Sequence, residues 1–262
     1  MGRLSNTFAR LRQQKRGGLV AYVTAGDPGI EVSEQILLAL AAGGADVIEV
    51  GVPFSDPLAD GPVIQRASER ALTAGMTLRG VLDLVGRVRP RLDLPIVLFT
   101  YANPVIRMGP EQFARTARAA GVDGVLILDF PVEEADPLRV PLVAAGLDPI
   151  FLISPTTTDE RVRRSSDLGA GFLYVISRLG VTGPRADMAA DAGALVDRVK
   201  RHASLPVALG FGISRPEHVA AACRHADAAV VGSALVNVVA EHGSNGAPEA
   251  VRDYVRWLKS GL

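Results

Sequence analysis

The sequence predicts an α/β fold, a (β/α)8 TIM barrel that forms a single domain over residues 1–262 with an extra helix at its amino terminus. Three observations support this prediction. Short runs rich in Val and Ile alternate with longer segments of helical periodicity, which is typical of parallel sheets. Eight such pairs fit into 262 residues, the usual size of this barrel. No linker-like or low-complexity stretch divides the chain.

The expected strands are nearly continuous apolar runs, as is usual when helices cover the outside of a sheet and side chains fill its inside. They span residues 19–24, 46–50, 96–101, 124–129, 149–153, 172–177, 206–210 and 228–232. The clearest helices span residues 31–42, 62–73, 78–88, 110–120, 195–201 and 234–241, with a last helix at 247–259. Glycines stand where helices should end, at Gly43, Gly44, Gly121, Gly146 and Gly169.

Residues 1–18 predict an amphipathic helix before the first strand. Leu4, Phe8 and Leu11 are separated by polar and basic side chains, among them Arg10. The segment lacks the apolar core of a secretion signal, and no apolar run in the chain reaches the ~18 residues of a membrane span. We therefore expect a soluble, cytoplasmic protein.

A doubly wound open sheet is the competing architecture, because it also alternates strands with helices. That fold binds dinucleotides through a GxGxxG turn after its first strand. Residues 24–29 are Thr-Ala-Gly-Asp-Pro-Gly, which lacks this spacing. The barrel is therefore the favoured fold.

Charge and cysteine content exclude several kinds of partner and of stabilisation. The chain has 28 basic and 28 acidic residues, so it offers no overall attraction to nucleic acid or to an anionic membrane surface. The single cysteine, Cys223, cannot form an intrachain disulfide. It lies beside a run of alanines, where we expect it to be a small buried apolar side chain.

The active site of such a barrel lies at the carboxyl ends of the strands, which limits the chemistry available. The side chains expected there are mostly carboxylates: Asp27, Glu49, Asp56, Asp60 and Asp129. All lysines and histidines are expected on helices instead: Lys15, Lys200, Lys259, His202, His218, His225 and His242. A Schiff-base aldolase needs a lysine in the site and a metal-dependent aldolase needs a ligand cluster, so both classes are disfavoured.

Glu49 and Asp60 are the strongest catalytic candidates. Glu49 lies within an apolar strand, where an unpaired charge is costly, so its pKa should be raised into the range of a group that takes and gives a proton near neutrality. Asp60 ends the loop that follows. Because it precedes Gly61 and Pro62 at a helix start, it could instead be only a helix cap.

Glycine-rich turns follow the last two expected strands, at residues 209–214 and 231–234. Backbone amides at these places form the anion site that barrels use for phosphate, and residues 180–183 could add a third set. The alternative is that each glycine only permits a tight turn. The pair of turns favours a substrate that carries a phosphate.

Six segments together resemble the tryptophan synthase α subunit family over essentially the whole chain: residues 23–28, 48–62, 101–104, 129–134, 177–183 and 210–214. The resemblance implies retro-aldol cleavage of indole-3-glycerol phosphate to indole and glyceraldehyde 3-phosphate, with no metal or cofactor in this subunit. It identifies Glu49 as the acid/base and Asp60 as the carboxylate that stabilises positive charge on the indole nitrogen.

The same resemblance implies the binding residues. The phosphate cradle corresponds to Gly183, Gly212, Gly232 and Ser233, and the pocket around the indole and glycerol groups to Tyr22, Phe99, Tyr101, Leu126, Tyr174 and Phe211. Tyr174 is also a possible donor to the substrate. Each aromatic side chain taken alone could equally be core packing.

The family also implies a partner, a pyridoxal-phosphate β subunit that receives indole in an α2β2 heterotetramer. Four residues would face it: Pro53, Asp56, Asp129 and Pro131. The loop from Leu179 to about Asp191 would close as a lid, with Thr182 reaching Asp60, and the chain departs from the family pattern there at Leu179 and Pro184. Two other functions stay open: a free-standing lyase that releases indole, and a non-catalytic regulator of a β subunit.

Overall fold

The structure is a computed structural model that describes residues 2–177, 187–210 and 212–262, without the side chains of 187–190. In these residues, parallel strands close into a barrel in which each strand pairs with the next and the last pairs with the first. They are β1 Gly18–Thr24, β2 Val47–Gly51, β3 Ile96–Thr100, β4 Gly124–Ile127, β5 Asp148–Ile153, β6 Leu173–Ile176, β7 Val207–Gly210 and β8 Ala228–Val231. The barrel prediction is confirmed, and the open sheet is excluded.

The helices lie outside the barrel, apart from the first. In chain order they are α1 Arg3–Gln13, α2 Ile30–Gly43, α3 Pro62–Thr73, α4 Leu78–Val88, α5 Ala102–Met108, α6 Pro110–Ala120, α7 Asp136–Ala144, α8 Asp159–Leu168, α9 Asp187–His202, α10 Pro216–Cys223 and α11 Ser233–Lys259. The bounds of α3, α4 and α6 match the sequence prediction. The segment α11 combines the last two predicted helices and is bent at Gly243, whose φ of 58° and ψ of −165° are not helical.

Three sequence predictions are wrong in detail. The helix predicted at 195–201 begins earlier, at Asp187, so the last five residues of the predicted lid loop are helical. The strand predicted to reach Asp129 ends at Ile127. Lys15 follows α1 in a turn with φ 52° rather than lying on a helix, because the chain must reverse there to enter β1.

The helix α1 closes the amino end of the barrel. Its apolar face, Leu4, Phe8 and Leu11, is buried with the side chains that point into the barrel. The ring of Phe8 lies 5.5 Å from that of Phe172, just before β6. Each such buried side chain contributes roughly 1.5–3 kcal/mol. The predicted extra helix is confirmed, and its side chains fill the amino end of the barrel.

Aspartates at the amino ends of β2, β4 and β8 share one arrangement. Each accepts a hydrogen bond from the first N–H, or nearly the first, of the preceding strand in the barrel order. The pairs are Asp46 with Leu19 at 3.0 Å, Asp123 with Ile96 at 2.9 Å and Asp227 with Val207 at 2.9 Å. Each also binds a cation: Arg16 and Lys259 at Asp46, Arg3 and Arg89 at Asp123, and Lys200 at Asp227. These carboxylates therefore hold neighbouring strands and helices together.

No helix in the described ranges is both long and apolar enough to cross a membrane.

Candidate active site

Glu49 lies in the middle of β2 with its side chain inside the barrel. Val47 on the same face belongs to the interior cluster, whereas Ile48 and Val50 pack outward against the helices. Glu49 is 0% exposed, and neither carboxylate oxygen has a hydrogen-bond partner among the described residues. Burial raises the pKa of this carboxyl to about 8. The pKa shift expected from the sequence is therefore confirmed.

Aromatic side chains line the interior beside Glu49. Tyr22 is its register partner on β1, and the ring of Tyr22 meets that of Phe99 edge-on at 5.2 Å. Tyr174 continues the row, 6.3 Å from Phe99. Leu126 is level with Phe99 on the next strand and fully buried. Four of the predicted pocket residues thus pack in one cluster inside the barrel.

Gly51 ends β2 because the site has no space for a larger residue. A Cβ at this position would collide with the Tyr22 hydroxyl and lie 2.7 Å from Cζ of the same ring. A glycine here lets the tyrosine ring lie across the end of the strand that carries Glu49.

Asp60 lies at the far end of the loop after β2 and is held by Tyr101. The Tyr101 hydroxyl donates to Asp60 Oδ2 at 3.0 Å and accepts from the Ala59 N–H at 3.1 Å. Burial raises the pKa of Asp60 to about 6, and the tyrosine bond works in the opposite direction. Gly61 is the residue at the N-cap of α3, which has no side-chain cap, so the capping alternative for Asp60 is wrong.

The two carboxylates act on the same two tyrosines. Burial raises the pKa of Tyr22 well above its usual value, and the charges of Asp60 and Glu49 add to that rise. The pKa of Tyr174 is raised by burial and then by the same two carboxylates. Both tyrosines therefore lie within electrostatic reach of Glu49 and of Asp60, although eleven positions separate these acids in the chain.

The glycine-rich turns lie beside the same aromatic wall. A Cβ on Gly232 would be 3.6 Å from the Tyr22 ring, and one on Gly210 would be 3.2 Å from the Tyr174 hydroxyl. Ser233 begins α11 right after Gly232, so the free amides at this helix start lie next to the pocket. Gly212 is exposed and has φ +65°, a conformation that favours glycine.

Asp27 is a predicted candidate that the structure assigns to the scaffold. It is buried, and its two oxygens accept from Arg70 Nε and Nη2 of α3 at 2.7 and 2.8 Å. A carboxylate bound on both oxygens by a guanidinium is not free to transfer a proton. The pair instead attaches α3 to the loop after β1.

The residues predicted to face a partner differ in exposure. Asp56, Asp129 and Pro131 are exposed, whereas Pro53 is buried. Asp129 accepts from the Ala102 N–H at 2.7 Å and so holds the start of α5.

Sequence analysis did not identify Leu58, which is 92% exposed in the loop that ends at Asp60. Its signal was a large apolar residue between Pro57 and Ala59 in a loop rich in proline and aspartate. The predicted residues Thr182, Gly183 and Phe211, with Leu179 and Pro184, lie outside the described residues. Within the described ranges, no group of three His, Cys, Asp or Glu side chains could hold a metal ion.

The fold and the site define a class: a (β/α)8-barrel enzyme with two carboxylates of perturbed pKa, an aromatic pocket and glycine-rich turns suited to phosphate. The family model "Tryptophan synthase alpha chain" matches residues 8–259. The chain therefore belongs to the tryptophan synthase alpha chain family. Members are carbon–carbon lyases of tryptophan biosynthesis that cleave indole-3-glycerol phosphate to indole and glyceraldehyde 3-phosphate.

Similar proteins match along essentially their full length. The tryptophan synthase alpha chains of Burkholderia thailandensis and Geotalea uraniireducens are 46% and 45% identical; the matches cover 100% of this chain and 97% and 98% of theirs. The crystal structure of tryptophan synthase subunit alpha from Legionella pneumophila has a TM-score of 0.93 at 36% identity, covering 100% of this chain and 98% of that one. A Mycobacterium tuberculosis tryptophan synthase structure gives 0.92 at 36%, with the same coverage. The family has no cofactor of its own, and its members work with a beta chain that holds pyridoxal phosphate.

Proposed function

We propose that Glu49 transfers the proton in indole-3-glycerol phosphate cleavage and that Asp60 stabilises the positive charge that develops on the indole ring. The observation that carries this proposal is a pair of carboxylates, Glu49 fully buried and Asp60 half-buried, that both act on Tyr22 and Tyr174 and have pKa values of about 8 and about 6. Environments that push two carboxyl pKa values apart divide them into an acid and a charged stabiliser.

The first step uses Glu49 as an acid. With a pKa of about 8, about nine-tenths of this group is protonated at pH 7. It donates its proton to C3 of the indole ring, and the ring nitrogen becomes positively charged. Asp60 has a pKa of about 6 and is therefore mostly ionised at pH 7, so it faces that nitrogen as an anion.

The second step uses Glu49 as a base. Its carboxylate removes the proton from the glycerol hydroxyl next to the bond that breaks. The oxygen forms a carbonyl, the carbon–carbon bond breaks, and its electron pair returns to the ring as neutral indole. Glu49 ends protonated, as it began, so the cycle consumes no proton and needs no co-reactant.

The neighbouring residues support binding of the rest of the substrate. Tyr22, Phe99, Leu126 and Tyr174 offer flat apolar surface for indole, and Tyr101 orients Asp60. Gly212, Gly232 and Ser233 offer backbone amides to the phosphate, a function that family similarity extends to Gly183. By the same similarity, Thr182 and Phe211 belong to the site.

We also infer the wider setting from family membership. The chain forms one domain over residues 1–262, carries no cofactor, and joins a β subunit as an α2β2 heterotetramer in the cytoplasm. We assign Asp56, Asp129 and Pro131, which are exposed, to the interface, together with the loop that contains buried Pro53. The solved relatives include tryptophan synthase structures, and the family works with a beta chain, which favours this partnered form over a free-standing lyase.

Indole release from indole-3-glycerol phosphate tests the function, measured for the purified chain alone and with a tryptophan synthase β subunit. We expect release that rises strongly when the β subunit is added. Fast release without the partner would identify a free-standing lyase, and no release under either condition would identify a regulator.

A further inference from the structure

We propose that Tyr254, near the carboxyl terminus, is a positioning residue that holds one half of the phosphate cradle in place. The inference rests on the proposed function, because it takes Gly212 as a phosphate-binding residue. Tyr254 is outside the pocket and touches no residue assigned to catalysis. It bonds instead to the end of the loop that contains Gly212.

The key contact is between the Tyr254 hydroxyl and the carbonyl of Ser214. The hydroxyl donates to this oxygen at 2.7 Å, the short end of the usual range. Ser214 is two residues after Gly212. The same residue is held on its other side, because its N–H donates to Nδ1 of His218 at 3.3 Å.

The rest of the loop explains why such a tether is useful. Gly212 is exposed, and a Cβ placed on it would meet nothing within 4 Å among the described residues, so none of them beyond its chain neighbours packs against it there. Ile213 is buried and Ser214 is bonded on both sides. The amide of Gly212 thus takes its direction from the residues that follow it.

One helical segment connects the two described parts of the phosphate cradle, the loop with Gly212 and the turn with Gly232 and Ser233. The segment α11 begins at Ser233, beside the glycine-rich turn after β8, and is bent at Gly243. Its later part packs against the end of α2, where Gly43 faces the Arg252 carbonyl and Val255. That part carries Tyr254 to the loop after β7. The start of α11 therefore offers amides to the phosphate, and its end fixes the opposite loop.

Because Tyr254 acts on phosphate binding and not on the acids, its loss should change affinity more than turnover. For Tyr254→Phe we expect KM for indole-3-glycerol phosphate to rise about 3- to 10-fold, the range expected for one hydrogen bond, with kcat within about twofold. The inhibition constant of inorganic phosphate should rise by the same factor. His218→Phe removes the acceptor of the Ser214 N–H. It should raise KM and the phosphate inhibition constant by a smaller factor.

Ser260→Ala is the matched control, because this hydroxyl also donates to a carbonyl on α11, that of Trp257, and has no hydrogen bond to the described part of the cradle loops. Its constants should equal those of the unmodified chain. An unchanged phosphate inhibition constant in Tyr254→Phe, or a fall in kcat and melting temperature alone, would overturn the proposal. If phosphate failed to compete with substrate even in the unmodified chain, the cradle assignment itself would be wrong.

Discussion

The two ends of the barrel use the same kind of side chain in opposite ways. At the amino end, Asp46, Asp123 and Asp227 each accept a strand N–H and bind at least one cation. Toward the carboxyl end, Glu49 is fully buried without any described partner. The paired aspartates link strands and helices, whereas the isolated glutamate stores unfavourable energy that makes it reactive.

The pKa values express this difference. At Asp46, burial alone would raise the pKa, but the bonds from Arg16 and Lys259 and the Leu19 N–H outweigh it, and the pKa is lowered. At Glu49, no described hydrogen bond or cation opposes the effect of burial, and the pKa rises. A lowered carboxyl pKa stabilises the folded state at neutral pH, and a raised one destabilises it.

Glu49→Gln should give the largest effect. We expect kcat to fall about 10²- to 10⁴-fold, because the proton transfer is lost. The free energy of unfolding should rise at the same time. The penalty at Glu49 arises because the buried group stays protonated while the unfolded chain ionises. It is absent below the unfolded pKa near 4, reaches on the order of 3 kcal/mol at pH 7 and levels off above about pH 8.

Urea unfolding at pH 5 and pH 9, beside indole release, checks this variant. Glu34→Gln is its control, since that carboxylate is paired with Arg87 and Arg91 on the surface. Activity within a few-fold of the unmodified chain would remove Glu49 from the mechanism.

Asp46→Asn should act in the opposite direction and mainly on stability. Removing this carboxylate leaves Arg16 and Lys259 without their anion, at a cost of about 2 kcal/mol, reduced from the fully buried case because both cations are partly exposed. The kcat of the folded enzyme should not change. In the unmodified chain the contribution is present above pH ~4 and disappears as pH falls through the lowered pKa, so the variant should lose less stability on acidification. Denaturant curves between pH 2.5 and 7 measure this, and an equal acid response in both proteins would contradict it.

The pH dependence of kcat/KM sharpens the comparison between Glu49 and Asp60. Activity needs Asp60 ionised, above about 6, and Glu49 protonated, below about 8. We expect a bell-shaped profile of kcat/KM with its maximum near pH 7. Below pH 6 and above pH 8, kcat/KM should fall about tenfold per pH unit. Steady-state rates from pH 5 to 10 provide the profile. A plateau that continues past pH 9 would show that Glu49 is not needed in its protonated form.

Tyr101→Phe should have the smallest effect. Its hydroxyl lowers the pKa of Asp60, so its removal should move the acidic limb to higher pH and leave the alkaline limb in place. We expect a decrease of a few-fold in kcat/KM at pH 6 and less at pH 8. The same pH series measures the shift, with Tyr254→Phe as a control whose limbs should stay fixed.

Sequence patterns predicted the barrel and Glu49 because both depend on local periodicity. A strand of alternating faces places Val47 and Glu49 together whatever the rest of the chain does. The Tyr101 bond to Asp60 spans 41 positions and exists only once β2 and β3 are neighbours. The pairing of Asp27 with Arg70 depends equally on tertiary packing, so the sequence placed Asp27 correctly after β1 but did not show that its charge is paired.

The aspartates before β2, β4 and β8 had a visible signal, an acid just ahead of an apolar run. Their meaning was hidden, because the N–H that each one accepts belongs to a different strand. Buried Pro53 shows a similar limit: the sequence placed it in the loop expected to face a partner, but did not show that its side chain is covered.

The helix α1 has a consequence for molecular traffic. Leu4, Phe8 and Leu11 fill the amino end of the barrel in the part of the chain that the structure describes. We therefore expect substrate and products to pass through the carboxyl end, where the loop that carries Asp56 and Leu58 lies. A protein bound to that loop would therefore determine which product is released to water and which is transferred, without changing the chemistry at Glu49 and Asp60.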